Sequence, residues 1–74
     1  MEALIVPVLH EFSMNSHYAI YFRNNYDSTP RKLGEVEVDD WKGEEDRETE
    51  VQYFLLDKLT NDQMMKIQIH YLTL

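Results

Sequence analysis

EEDRETEVQYFLLDKL, residues 44–59, is the stretch on which the fold turns. Val51, Leu55 and Leu59 recur at steps of four with Phe54 and Lys58 beside them. A helix over 44–59 therefore gathers one apolar face and leaves Glu45, Asp46, Glu48 and Gln52 to water. Its first turn is acidic and its last holds Lys58, the polarity that the helix macrodipole favours by about 0.3–1 kcal/mol per charge. Asn61 follows as a left-handed cap. The competing reading makes 51–56 a strand, because Val51, Tyr53 and Phe54 favour extended backbone and an Asn-Asp turn comes next. The helix is preferred because the charges at both ends agree with the apolar period between them.

Outward from this helix the period changes to two. Met65, Ile67, Ile69 and Tyr71 alternate with Lys66, Gln68, His70 and Leu72, which predicts a last strand. Upstream, Glu35-Val36-Glu37-Val38-Asp39 alternates acid with valine, the pattern of a half-exposed antiparallel strand with a negative outer face. Asp40 breaks that alternation, and a bulge there would turn Trp41 inward. Asn24 to Lys32 collects Asn, Asp, Ser, Thr and Pro and reads as a loop. Residues 17–23 place Tyr18, Ile20 and Phe22 on one face and His17, Ala19, Tyr21 and Arg23 on the other, as the hairpin partner of the first strand. That first strand, 3–12, is almost continuously apolar, which suits a strand covered on both faces; Pro7 lacks a ladder N–H and points to an edge or a bulge. The order is β-β-β-α-β. The expected fold class is α+β, a small antiparallel sheet with one helix packed on a face.

At 74 residues the chain holds one small domain, 1–74, which buries only about 60% of the surface its unfolded form exposes. Hydrophobic residues at 43% beside 28% charged are those of a packed globule rather than a disordered chain. The absence of cysteine removes a disulfide framework, a thiolate zinc site and a thiol nucleophile together, and fits a reducing compartment. No basic segment precedes the apolar start and no apolar run approaches a membrane span of about 20 residues. A cytoplasmic protein is expected, in the host cytoplasm if the chain is phage-encoded.

The net charge of -7 lies in one segment. Between 35 and 50 stand Glu35, Glu37, Asp39, Asp40, Glu44, Glu45, Asp46, Glu48 and Glu50, against only Lys42 and Arg47. The other acids, Glu2, Glu11, Asp27, Asp57 and Asp62, are matched by Arg23, Arg31, Lys32, Lys58 and Lys66. Charge serving solubility alone has no reason to collect in this way, whereas a field directed at a basic partner does. Acidic loops and helix starts are nonetheless common in ordinary proteins.

Catalytic chemistry finds no support. Ser13, Ser16 and Ser28 lack a nucleophile motif, and two glycines in 74 residues leave little scope for a deep pocket. His10, His17 and His70 with Glu11 would form a metal set only if their strands met, and no short-range His spacing favours it. The Asp39, Asp40, Glu44, Glu45, Asp46 group lacks the loop that positions calcium ligands. No cofactor is expected. Thr29-Pro30-Arg31-Lys32 has the form of a proline-directed phosphorylation site. Tyr18, Tyr21 and Phe22 with Arg23 have the form of a base-stacking platform, but an acidic domain repels phosphate, and core packing explains those aromatics better.

Two functions remain. In the first, the chain is a small inhibitor or adaptor that presents Glu35, Glu37, Asp39, Asp40, Glu44, Glu45, Asp46 and Glu48 to the basic surface of a nucleic-acid-binding enzyme, its carboxylates in place of phosphates. Glu35, Glu37 and Asp39 would stand about 6.6–6.8 Å apart on one strand face, and Trp41 would be either the buried anchor of that interface or a core residue. Phage anti-defence proteins, CRISPR inhibitors and DNA mimics among them, are similar in size and acidity, as are some antitoxins and immunity proteins. The resemblance covers composition and carries no residue over. In the second, the chain is a structural or regulatory subunit whose apolar sheet face or Met64-Met65 edge is completed by a partner or by its own copy.

Overall fold

In the computed structural model the chain is described over residues 1–12, 14–39 and 44–73, with the side chains of Glu44 and Glu45 outside that description. Four strands and two helices follow in the order β1 (Glu2–Val8), β2 (Ser16–Arg23), β3 (Arg31–Val38), α1 (Glu44–Lys58), α2 (Asn61–Lys66) and β4 (Gln68–Tyr71). The α+β class and the β-β-β-α-β order hold, with α2 as an addition. The sheet runs β3-β2-β1-β4. The first three strands form an antiparallel meander, but β4 lies parallel to β1, so the sheet is mixed rather than purely antiparallel. The direction of β4 follows from the helical layer that carries the chain back before it enters the sheet.

The period-four stripe of residues 44–59 forms α1, and the strand reading of 51–56 is wrong. Val51 and Leu55 are fully buried and close the core against Ala3 and Ile5 of β1 and Ile20 of β2. Tyr53, which a strand would place on the same face as Val51 and Leu55, is 67% exposed. Asn61 does not cap α1 in a left-handed turn; it is the first residue of α2. Thr60 caps α2 instead: its hydroxyl accepts from the Gln63 N–H at 3.1 Å, and Gln63 Oε1 accepts from the Thr60 N–H at 2.9 Å. This reciprocal box satisfies two end donors at once and draws Met65 into a helix. The strand expected from the alternation at 65–72 is therefore only Gln68–Tyr71.

β1 ends at Val8, four residues before the expected Phe12, and it is covered by the helices on one face only. It is also an inner strand, paired with β2 on one side and β4 on the other. The Gln68 N–H donates to the Met1 carbonyl and the Leu72 N–H to the Ile5 carbonyl, each at 2.9 Å. Odd-numbered residues of β1 thus turn their backbone groups to β4. The missing N–H of Pro7 falls on that side, past the last pair Ile5↔Tyr71, where no ladder bond is lost.

β3 begins at Arg31 rather than Glu35, so the loop is shorter than 24–32. Asn25 organises it: its Oδ1 accepts from the Asp27 N–H at 3.1 Å and the Ser28 hydroxyl at 2.9 Å. The register of β2 with β3 shifts between Ile20↔Gly34 and Tyr21↔Lys32, which leaves Leu33 as the extra residue. The bulge expected at Asp40, and the inward turn of Trp41, lie outside the described residues. Gly34 faces α1, where a Cβ would stand 2.8 Å from Phe54 Cζ and 3.0 Å from its Cε2. Gly34→Ala should therefore lower stability by about 1–3 kcal/mol, the usual overpacking range. Phe54→Leu in the same chain should recover part of that loss in urea unfolding, and equal midpoints for Gly34→Ala and the native chain would refute the contact.

Among the described residues no helix is long and apolar enough to cross a membrane.

Candidate functional site: the acidic segment and the open sheet face

Strand pairing decides where the acids of β3 point. Tyr18↔Val36 and Ser16↔Val38 lie on the helix side, with Val38 buried and Val36 packed on the core, so their neighbours Glu35 and Glu37, opposite Ala19 and His17, lie on the other face. The negative outer face expected of this strand is present. It is not a row of free carboxylates. Lys32 Nζ donates to Glu35 Oε2 at 3.3 Å and His10 Nε2 lies 3.5 Å from Glu35 Oε1. The Lys32 ammonium, followed by His10, holds the Glu35 carboxyl below its ordinary value. Asn15 Nδ2 donates to Glu37 Oε1 at 2.6 Å. Asp39 follows the last residue of β3 and is half-buried, so the expected Glu35, Glu37, Asp39 row is not a continuous strand row.

The acids of α1 belong to the opposite layer. Asp46 is half-buried, while Glu48 and Glu50 are exposed, and no ion pair joins Glu48 or Glu50 among the described residues. Asp40 and Trp41, and the side chains of Glu44 and Glu45, lie outside the described residues. The described acids of 35–50 thus present their charge from two sides of the sheet, not from one patch.

In the sequence Arg47 reads only as a charge, yet it heads the inward stripe one turn before Val51. Its guanidinium carbon lies 4.5 Å from the ring centroid of Tyr71 and 5.7 Å from that of Tyr18, bridging α1 to both β4 and β2. Burial, then the nearby Glu48 carboxylate, raises the Tyr71 phenol above its ordinary value, and Arg47 opposes that rise. The basic residue near the start of this helix is spent on packing, so the described charges exposed there, Glu48 and Glu50, are negative.

Sequence reading also missed a polar network at the far end of the open face. Glu2 stands opposite Arg23, whose Nε donates to Glu2 Oε1 at 2.7 Å, and His70 Nε2 is 2.8 Å from the other carboxylate oxygen. Arg23 chiefly, with His70, holds the Glu2 carboxyl below its ordinary 4.5. A depressed folded value means that the unfolded chain takes up this proton first. The stabilisation is then complete above about pH 4.5 and is lost as pH falls through the folded value. Glu2→Gln and the native chain should differ in urea midpoint at neutral pH and converge as pH falls through the lowered folded value. A gap that persists unchanged at low pH would refute the linkage.

His10 and His17 do meet, with ring centroids 3.8 Å apart, but His70 lies beside Glu2 instead. Among the described residues no three His, Asp or Glu side chains are grouped to hold a metal. Tyr18 and Phe22 face the core and Tyr21 the open face, so the aromatics do not form one stacking platform. Thr29 is exposed in the β2–β3 loop. No protein-family model, characterised protein or solved structure matches the chain.

Proposed function

We propose that the chain is a small protein-binding inhibitor that presents carboxylates to the basic surface of a nucleic-acid-binding enzyme and so occupies the place of phosphates. The observation that carries this reading is the confinement of the whole net charge to residues 35–50, together with the outward display of Glu48 and Glu50 on α1. Glu48 and Glu50 carry more of it than the β3 acids, because Glu35 and Glu37 already hold partners within the chain. A rigid helix is a suitable support: its carboxylates keep fixed spacings, and their field raises the rate of encounter with a basic surface.

The experiment uses the native chain and a Glu44→Lys, Glu45→Lys, Asp46→Lys, Glu48→Lys variant as baits in lysate of the source cell or its host. The native chain should retain a nucleic-acid-binding protein that duplex DNA releases and that the variant does not retain. Retention of the same protein by both chains, or no release by DNA, would overturn the reading.

A second reading, self-association, is favoured by Leu4, Val6 and Val8, which are half-buried on the sheet face away from both helices. Apolar pairing of copies through that face should hold or strengthen as salt rises, whereas acid-led binding should weaken.

A further inference from the structure

The residues joining β1 to β2 carry Leu9, Phe12 and Met14 at 84%, 95% and 88% exposure. A connection serving only to reverse the chain needs turn formers, not three large apolar side chains facing water. The base of this loop is pinned. His10 stacks on His17, His10 Nε2 reaches Glu35, and Asn15 donates to Glu37, so the apolar tip projects from a support tied to β2 and β3. Ordering already present in the free chain need not be supplied on binding.

The charge around the tip selects what can cover it. Glu11 lies within the loop, Glu35 and Glu37 lie at its base, and β3 ends at the same end of the sheet, where Ser16 pairs with Val38 and Asp39 follows. An anionic lipid surface would meet these carboxylates with like charge, and a second copy would bring two equal sets together. We infer that the Leu9, Phe12, Met14 tip is the apolar anchor of the interface, and that its occupant is a protein surface with an apolar strip flanked by lysine and arginine, the pattern of a basic amphipathic helix. The inference rests on the acidic-inhibitor reading and adds the anchor to it. Apolar contact at the centre supplies lifetime, and the surrounding charge supplies encounter rate and selection against acidic surfaces.

A dye-labelled amphipathic helical peptide of leucine and lysine serves as the probe, with its leucine and glutamate counterpart as control, in anisotropy titrations against the full chain. The native chain should bind the lysine peptide and not the glutamate one. Leu9→Ser, Phe12→Ser, Met14→Ser together should weaken binding at least about tenfold while leaving thermal unfolding unchanged, because these side chains contribute little to the core. A second variant, Glu11→Gln, Glu35→Gln, Glu37→Gln, Glu48→Gln, Glu50→Gln, which removes the acids around the tip together with the outward acids of α1, should weaken binding and flatten its dependence on salt. If the serine variant binds as the native chain does while the amide variant is weakened, the anchor is overturned and the acidic reading stands. If the amide variant binds as the native chain does, the acidic reading fails and the basic occupant with it. Absence of binding by the native chain overturns the inference. So does preference of the tip for anionic vesicles, or a sedimentation shift to a dimer that the serine variant abolishes.

Discussion

Leu55→Ala should remove about 2–5 kcal/mol of stability, the range for deleting a buried leucine whose surroundings cannot collapse into the space. Leu55 is wholly inaccessible, and among the described residues it packs in a small buried cluster with Ala3, Ile5, Ile20 and Val51, so one truncation removes a large share of that cluster's apolar volume. A chain of this length has roughly 4–11 kcal/mol in hand. The loss therefore takes from about a fifth to the whole of it, and each kcal/mol lowers the unfolding temperature of so small a domain by about 4–8 °C. Leu56→Ala, one residue on and 53% exposed, and Tyr53→Ala should each stay within about 1 kcal/mol of the native chain. These three variants, with Val51→Ala grouping with Leu55→Ala, make the helical period a solution measurement by urea or thermal unfolding. If Tyr53→Ala proved as damaging as Leu55→Ala, residues 51 to 55 would be alternating as a strand does.

The same stripe marks how far local pattern reaches. Val51, Leu55 and the acidic start of α1 were legible because the 3.6-residue period and the macrodipole act within a single helix. The alternation of β2 and of 35–38 was legible for the same reason, since each strand carries its own record of which side is covered. What could not be read locally is what depends on a neighbour. Pro7 marks an edge in an isolated strand and costs no ladder bond here only because β4 stops at Tyr71, some sixty residues further along the chain. Nothing within 31–39 tells that Lys32, His10 and Asn15 engage Glu35 and Glu37, nor that α1 takes its acids to the other layer. Arg47 reads as one more surface charge until two tyrosines from different strands meet it. The capping box at Thr60 and Gln63 differs, because its signal was present in the sequence. The apolar alternation of Met65, Ile67, Ile69 and Tyr71 outweighed it, although Met65 proves to be a helical residue at 84% exposure. The apolar character of 9–12 likewise ran on from β1, and no local rule separates an apolar strand end from an apolar exposed tip.

Reversal of Glu44, Glu45, Asp46 and Glu48 to lysine should weaken binding to the proposed basic partner on the order of a hundredfold at physiological salt, with most of the change in association rate. Each reversal moves the net charge by two, so the four carry the chain from -7 to just past neutrality and convert steering attraction into repulsion. The same change acts on the fold. Acids in the first turn of α1 stabilise its dipole, and lysines there oppose it, so this variant should also lose about 1–3 kcal/mol of stability and unfold at a lower temperature. The two effects separate by salt. Loss of binding through the electrostatic field should shrink as added salt shortens the Debye length from about 10 Å at 0.1 M to about 3 Å at 1 M, because the native chain then loses its own advantage. A deficit arising from a frayed helix would not shrink in that way. Surface-resonance association rates at several ionic strengths, with helix content followed by circular dichroism in the same buffers, give the comparison. Native and variant rates that differ by the same factor at all salt concentrations would remove the electrostatic account. Convergence at high salt, with helix content retained, would assign the difference to the carboxylates of α1.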